Sequence, residues 1–166
     1  MDQLLSKEAL ISKHGSVNPA EVLKTRFIGF YVGAHCYPPT RLFTPLLIDF
    51  YNVVNAQGKI FEVIYVSDDR EAEDMQEYFN SMPWLSIPFS SVERRMSIMK
   101  NFNVVMKPAL IVCEPDGSAV TLNGKTDVET KGKDAVLHWG KIQRGKIRRT
   151  RGGKEYEIFR LVVSPH

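Results

Sequence analysis

Cysteine is scarce in this chain. Two thiols in 166 residues, Cys36 and Cys113, exclude a disulfide scaffold, and no Cys-x-x-Cys occurs at all. The four histidines, His14, His35, His138 and His166, are scattered, and no Cys/His cluster has zinc spacing. No metal site and no cofactor are therefore expected. There is no glycine-rich phosphate loop and no internal repeat. No apolar run approaches the ~20 residues of a membrane-spanning helix. The first sixteen residues, MDQLLSKEALISKHGS, lack the continuous apolar centre of a signal peptide. Asp2 and Glu8 argue against a transit peptide. So few thiols point to an intracellular, reducing compartment, most simply the cytoplasm.

What is present is an ordinary globular composition, 43% hydrophobic and 25% charged, in a length that suits one domain with a real core. The net charge of +3 hides an asymmetry. From Lys141 onward there are eight Lys and Arg against two Glu, a net +6, so residues 1–140 carry −3. A mildly acidic body bears a basic tail.

Residues 1–24 read as a short helix or loop preamble. The run RFIGFYVGA, residues 26–34, is apolar and β-prone, as a buried strand is. Pro38 and Pro39 stop it and suit the first turn of a helix, where the missing N–H groups would lack partners anyway. Leu42, Leu46, Leu47, Phe50, Tyr51 and Val54 then recur at helical spacing as one apolar face. Pro45 inside that pattern predicts a kink. KIFEVIYVSDD is a second strand, dense enough to be buried on both faces. REAEDMQEYFNSM is an acidic helix, PWLSIPF a loop and SVERRMSIMKNFNV a third helix. KPALIVCEPDGSAVTL reads as strand, Asp-Gly turn, strand. GKDAVLHWGK closes as a helix with a glycine at each end. The order βαβαββα predicts an α/β fold: a central mixed sheet with helices on both faces.

Three stretches carry a resemblance. GAHCYPPTRLFTPLLIDFY is similar to a Ser-Ala-x-Trp-Cys-Pro-Pro-Cys-Arg-x-Phe-Thr-Pro stretch. FEVIYVSDDREAEDMQEYFNSMPWLSIPF matches a strand, Ser-x-Asp, helix, Met-Pro-Trp-Leu-x-x-Pro-Phe segment. FNVVMKPALIVCEPDGSAV matches Phe-x-Val-x-x-x-Pro-x-Leu followed by an Asp-Gly turn. All three resemble the tryparedoxin/nucleoredoxin branch of the thioredoxin fold, from Arg26 to Trp139. The resemblance implies a thioredoxin-like domain over residues 25–141, with residues 1–24 as preamble and residues 142–166 as a basic extension. It also implies thiol–disulfide exchange, a cis bond between Lys107 and Pro108, and a peptide-sized groove around Tyr37, Thr40, Lys107 and Pro108.

The chemistry departs from that pattern. Aligned on Pro38, Pro39 and Arg41, the attacking cysteine is Tyr37 and the resolving cysteine is Thr40. The motif reads Cys-Tyr-Pro-Pro-Thr. Disulfide exchange needs a thiolate at the helix start and a second thiol to resolve the mixed disulfide. A phenol with a reference pKa near ~10 cannot attack in that way, and a threonine hydroxyl cannot resolve. The dithiol mechanism is therefore absent. Cys36 stands where the family has tryptophan. It reads either as a small apolar replacement or as a monothiol, and neighbours in an extended turn point apart, so His35 is not expected to pair with it. Cys113 lies five residues beyond Pro108, about 17 Å along a strand, too far for a bond to Cys36 that needs Cα atoms within ~7 Å. It is expected to be a buried small hydrophobe. Trp84 reads as a packing residue over the second helix. Asp68, Asp69, Glu71, Glu73 and Asp74 read as a solvated helix start favoured by the dipole.

The tail, GKIQRGKIRRTRGGKEYEIFRLVVSPH, is basic at first, then β-prone about Tyr156, Ile158, Phe159, Leu161 and Val162. Arg148, Arg149, Arg151 and Phe159 are its candidate contacts, with a protein partner or with the chain itself. A nucleic-acid role is disfavoured because no RNA-binding motif accompanies the charge. Together these readings lead to a redox-inactive thioredoxin-fold protein that serves as a binding or structural subunit in a multi-subunit assembly. The alternative is a monothiol oxidoreductase or redox sensor that uses Cys36, with glutathione as its thiol partner.

Overall fold

The computed structural model describes residues 9–150 apart from Leu23, with side chains as far as residue 145. Fourteen elements follow one another: β1 (Leu10–Ser12), β2 (Gly15–Val17), α1 (Pro19–Val22), β3 (Phe27–Gly33), α2 (Pro38–Val54), β4 (Phe61–Ser67), α3 (Ala72–Phe79), β5 (Leu85–Ser86), α4 (Val92–Asn101), β6 (Ala109–Cys113), β7 (Ala119–Thr121), α5 (Gly124–Lys131), a single 3-10 turn (Gly132–Asp134) and α6 (Ala135–Thr150). The strands form one sheet in the order β2-β1-β5-β4-β3-β6-β7. β3 runs parallel to β4, β4 parallel to β5, and the remaining pairs are antiparallel. The sheet is mixed and covered on both sides, as the element order predicts.

Alternation along the central strands builds two cores. Phe27, Tyr31, Val63, Tyr65, Leu110 and Val112 face α2, α3, α5 and α6. Ile28, Phe30, Val32, Ile64, Val66 and Ile111 face the other way, toward Ile98 and Phe102 at α4. A period of two places successive side chains on opposite faces, so strands buried throughout need apolar residues at nearly every position. β3 and β4 meet that demand, with all seven residues of each buried. Trp84 is 1% exposed and meets Tyr51 of α2 and Tyr31 of β3 edge-on.

Several elements differ from the sequence reading. The preamble contains a hairpin, β1–β2, that joins the sheet through the Ile11–Ser86 pair, so PWLSIPF is not all loop. GKTDVETK, unassigned from sequence, forms α5. The buried face of α2 is Thr40, Phe43, Thr44, Leu47, Phe50 and Tyr51, while Leu42 and Leu46 point outward. Threonines take inward positions there because tyrosine hydroxyls meet them. The last helix does not stop at Gly140. A Cβ at position 140 would lie 2.6 Å from the Arg26 guanidinium, so this glycine makes room for Arg26, whose charge sits over the Phe27 ring at 4.8 Å. The helix runs on to Thr150 and takes in Arg148 and Arg149, whose side chains fall outside the described residues, as do Arg151, Phe159 and the β-prone run. Among the described residues no helix is long and apolar enough to cross a membrane.

Candidate functional site

The site lies where β3 ends and α2 begins. Tyr37 is the N-cap of α2 but makes no side-chain cap bond, and Pro38 and Pro39 occupy the first turn. The few N–H groups near this start are already used. The amide of Tyr37 donates to Ala34 O at 3.2 Å, and those of Thr40 and Arg41 donate to Tyr37 O at 3.0 and 3.4 Å. The Tyr37 ring is exposed and so is the Cys36 thiol.

Thr40 is fully buried. Its hydroxyl accepts from the Ala34 amide at 3.4 Å. Its carbonyl accepts from Tyr31 and Tyr78, each at 3.2 Å, and from Thr44 Oγ1 at 2.9 Å. Thr44 Oγ1 also bonds the hydroxyls of Tyr31, at 2.7 Å, and of Tyr78. The Thr40 methyl fills the space over Gly33, where a Cβ would come within 2.6 Å of it.

Asp69 anchors the other side of the loop. It is 6% exposed, so the reading of this residue as a solvated helix-start acid is wrong. One carboxylate oxygen accepts from the His35 amide at 2.8 Å, and the other from Ser67 Oγ at 2.7 Å. Glu71, Glu73 and Asp74 do stand at the start of α3. Tyr65 donates to Gly33 O at 3.1 Å. The His35 ring stacks on Tyr78 at 4.8 Å, which commits it to that contact. Burial pushes the phenols of Tyr31 and Tyr65 well above their ordinary range, Asp69 pushes Tyr65 further, and burial also raises that of Tyr78. All three are therefore neutral hydrogen-bonding groups.

The Lys107–Pro108 bond is cis. Val32 pairs with Ala109, so Pro108 falls at the same end of the sheet as Gly33. Lys107 forms an ion pair with Asp68, whose amide donates to Gly33 O at 2.9 Å. Behind it, Arg95 donates to Ser67 O at 2.8 Å and lies over the Phe89 ring at 4.3 Å. Burial lowers its pKa from the usual value. Of the residues expected at this face, Tyr37, Lys107 and Pro108 gather at one end of the sheet, while Thr40 sits inside as a support. Tyr31, Thr44, Tyr65, Asp69 and Tyr78 were not foreseen as parts of it. Their only signal is polar residues at inward-facing positions of otherwise apolar elements. Among the described residues neither cysteine forms a disulfide, and Cys113 is buried in the second core. Among the described residues no group of three His, Cys, Asp or Glu could hold a metal ion.

A family model described as thioredoxin-like matches residues 25–119. Over 119 residues the chain is 34% identical to a nucleoredoxin of Mus musculus, covering 72% of this chain and 27% of that one. It is 38% identical over 120 residues to a probable nucleoredoxin 1 of Arabidopsis thaliana, covering 70% of this chain and 21% of that one. The chain thus spans about a quarter of the length of these relatives. Among solved structures it is similar to native tryparedoxin I from Crithidia fasciculata, with a TM-score of 0.74 and 34% identity, covering 80% of this chain and 92% of the other.

Proposed function

Because the chain belongs to the thioredoxin-like family, in its tryparedoxin/nucleoredoxin-like branch, we propose that it has kept the scaffold of a disulfide oxidoreductase without the dithiol reaction, and that it works as a binding or structural subunit. Its contact surface is the face carrying Tyr37, Lys107 and Pro108. Its partner is another protein within a multi-subunit assembly, and the basic tail adds a second anchor.

The observation that carries this reading is the state of Thr40. Resolving a mixed disulfide takes a second thiol that can attack it. Position 40 carries instead a threonine hydroxyl, which accepts from the Ala34 amide and cannot attack a disulfide. At the attacking position Tyr37 offers a phenol that cannot form a disulfide. Cys36 lies outside the helix, one residue before the N-cap, beside a first turn whose amides are already bonded or absent. It therefore does not stand at the helix-cap position that the attacking cysteine of such a motif takes.

The test is reduction of a protein disulfide with dithiothreitol as electron source. The full chain is expected to add nothing to the uncatalysed rate, with glutathione present or absent. Turnover that disappears in Cys36→Ser would overturn the reading in favour of a monothiol enzyme. Turnover that survives Cys36→Ser and Cys113→Ser together would mean a contaminating enzyme, and the purified chain would then be measured again.

A further inference from the structure

α2 turns apolar residues outward. Leu42 is 76% exposed, Leu46 50% and Val53 55%. With Asp49 they are spaced four, three and four residues apart, which places them on one stripe of the helix. The second half of the stripe walls a groove of about 350 Å³ between α2 and the turn that joins α5 to α6. Leu46, Phe50, Val53 and Val128 give it an apolar lining, and Asp49, Glu129 and Lys133 charge its edges. Asp49 and Lys133 form no ion pair among the described residues.

A segment that fits must be apolar, with a cation for Asp49 and an acid for Lys133. Residues 156–163 of this chain, Tyr-Glu-Ile-Phe-Arg-Leu-Val-Val, have that chemistry, with Arg160 and Glu157 among six apolar residues. Chain length agrees. α6 starts at Ala135, next to Gly132 and Lys133 of the groove, and its sixteen residues carry the chain about 24 Å away at 1.5 Å per residue. Returning that distance takes about seven extended residues. Residues 151–157 supply them, and the apolar run comes next. We propose that residues 158–163 seat in the groove between α2 and the α5–α6 turn of the same molecule, with Glu157 arriving at its edge by Lys133 and Arg160 against Asp49.

The test uses the full chain with a photo-crosslinking phenylalanine analogue in place of Phe159. Equal amounts of isotope-labelled and unlabelled protein are mixed before irradiation, and the crosslinked peptides are mapped by mass spectrometry. Crosslinks are expected to the peptides bearing Leu46, Val53 or Val128, within one isotopic species. Leu46→Asp, an exposed position that leaves the core intact, is expected to cut their yield at least tenfold. Asp49→Arg should weaken them, and Arg160→Asp in the same chain should restore them. Crosslinks of mixed isotopic origin would assign the groove to a second copy and overturn the proposal. Crosslinks elsewhere, or a yield indifferent to Leu46→Asp, would overturn it as well.

Discussion

Replacing Gly33 by alanine tests the idea that Thr40 locks the end of β3 to the start of α2. Gly33 does not use a left-handed backbone angle, so alanine meets no backbone strain there. Chain entropy alone would favour the alanine by about 0.4–1 kcal/mol. Packing opposes it. The new Cβ would lie 2.6 Å from Thr40 Cγ2, with Thr40 Oγ1 next at 3.2 Å. Thr40 cannot retreat, because it is fully buried and its hydroxyl and carbonyl are both bonded. Overpacking of this kind costs about 1–3 kcal/mol, so Gly33→Ala should destabilise by roughly 1–2 kcal/mol. For a domain of this size that is a fall in Tm of about 2–4 °C per kcal/mol. Thr40→Ser removes the conflicting methyl but keeps the hydroxyl for Ala34, and alone should cost about 1 kcal/mol of lost burial. The pair should fit together: the alanine methyl takes the space the threonine methyl leaves. The double variant is expected within about 1 kcal/mol of the parent, a favourable coupling of roughly 1.5–2 kcal/mol. Urea unfolding of the four proteins gives the cycle directly. A neutral or stabilising Gly33→Ala, or single effects that simply add, would refute the lock.

Three further outcomes are expected. Tyr37→Cys with Thr40→Cys should create an internal disulfide on oxidation and measurable disulfide reduction with dithiothreitol; a double variant that stays inert would mean that more than two thiols has been lost. Above pH 10 the fold should weaken, since burial raises the folded phenols of Tyr31 and Tyr65, and burial with Glu62 pushes Tyr51 up to about 12. Unfolded tyrosine ionises near ~10 while the folded group keeps its proton, so this stability is intact below that pH and is lost above it at about 1.4 kcal/mol per pH unit for each phenol. Tyr65→Phe should flatten the decline of the urea midpoint between pH 10 and 11, and a midpoint that does not fall at all would contradict the buried-phenol account. Lys107→Ala removes an ion pair whose partner Asp68 is 40% exposed, so its effect on the urea midpoint should stay below about 1 kcal/mol; a larger loss would show that the pair holds the loop.

The central elements could be read from sequence because burial dictates them. Phe27, Ile28, Phe30, Tyr31 and Val32 leave no face for water, and such a run can only be an interior strand. The double proline marks the start of α2 by removing two donors where none is needed. The edges could not be read so well. β1 and β2 are three residues each and gain their strand state from pairing, which propensity does not reveal. The buried face of α2 was displaced because Leu42 and Leu46 outrank Thr40 and Thr44 on any hydropathy scale. The threonines are inside only because Tyr31 and Tyr78 bring hydroxyls to them. That partnership joins residues 9 and 13 positions apart for Tyr31 and 34 and 38 apart for Tyr78, and has no local signature. Gly140 misled in the opposite direction. A glycine near a helix end suggests a stop, but this one clears space for Arg26.

Under the proposed function, the absence of thiols at positions 37 and 40 and the fixed loop are linked in physical terms. A dithiol site must change bonding partners during each turnover. Thr40 has no such partner to exchange: it is enclosed, and its carbonyl collects the hydroxyls of two strand and helix tyrosines and of Thr44. Asp69 holds the His35 amide from the other side, so both flanks of the loop are tied to the sheet. A surface held in this way has little conformational freedom left to lose when something binds it. Exposed Tyr37 projects from that rigid support, and tyrosine is among the residues that most often anchor protein interfaces. Under the proposed reading, the residues at positions 37 and 40 therefore leave a preorganised face with an aromatic anchor. If that face is the contact surface, Tyr37→Ala should weaken partner binding by 2 kcal/mol or more, about the cost of a hot-spot truncation, and leave the urea midpoint unchanged. A midpoint that falls with the affinity would place Tyr37 in the fold and remove it from the interface.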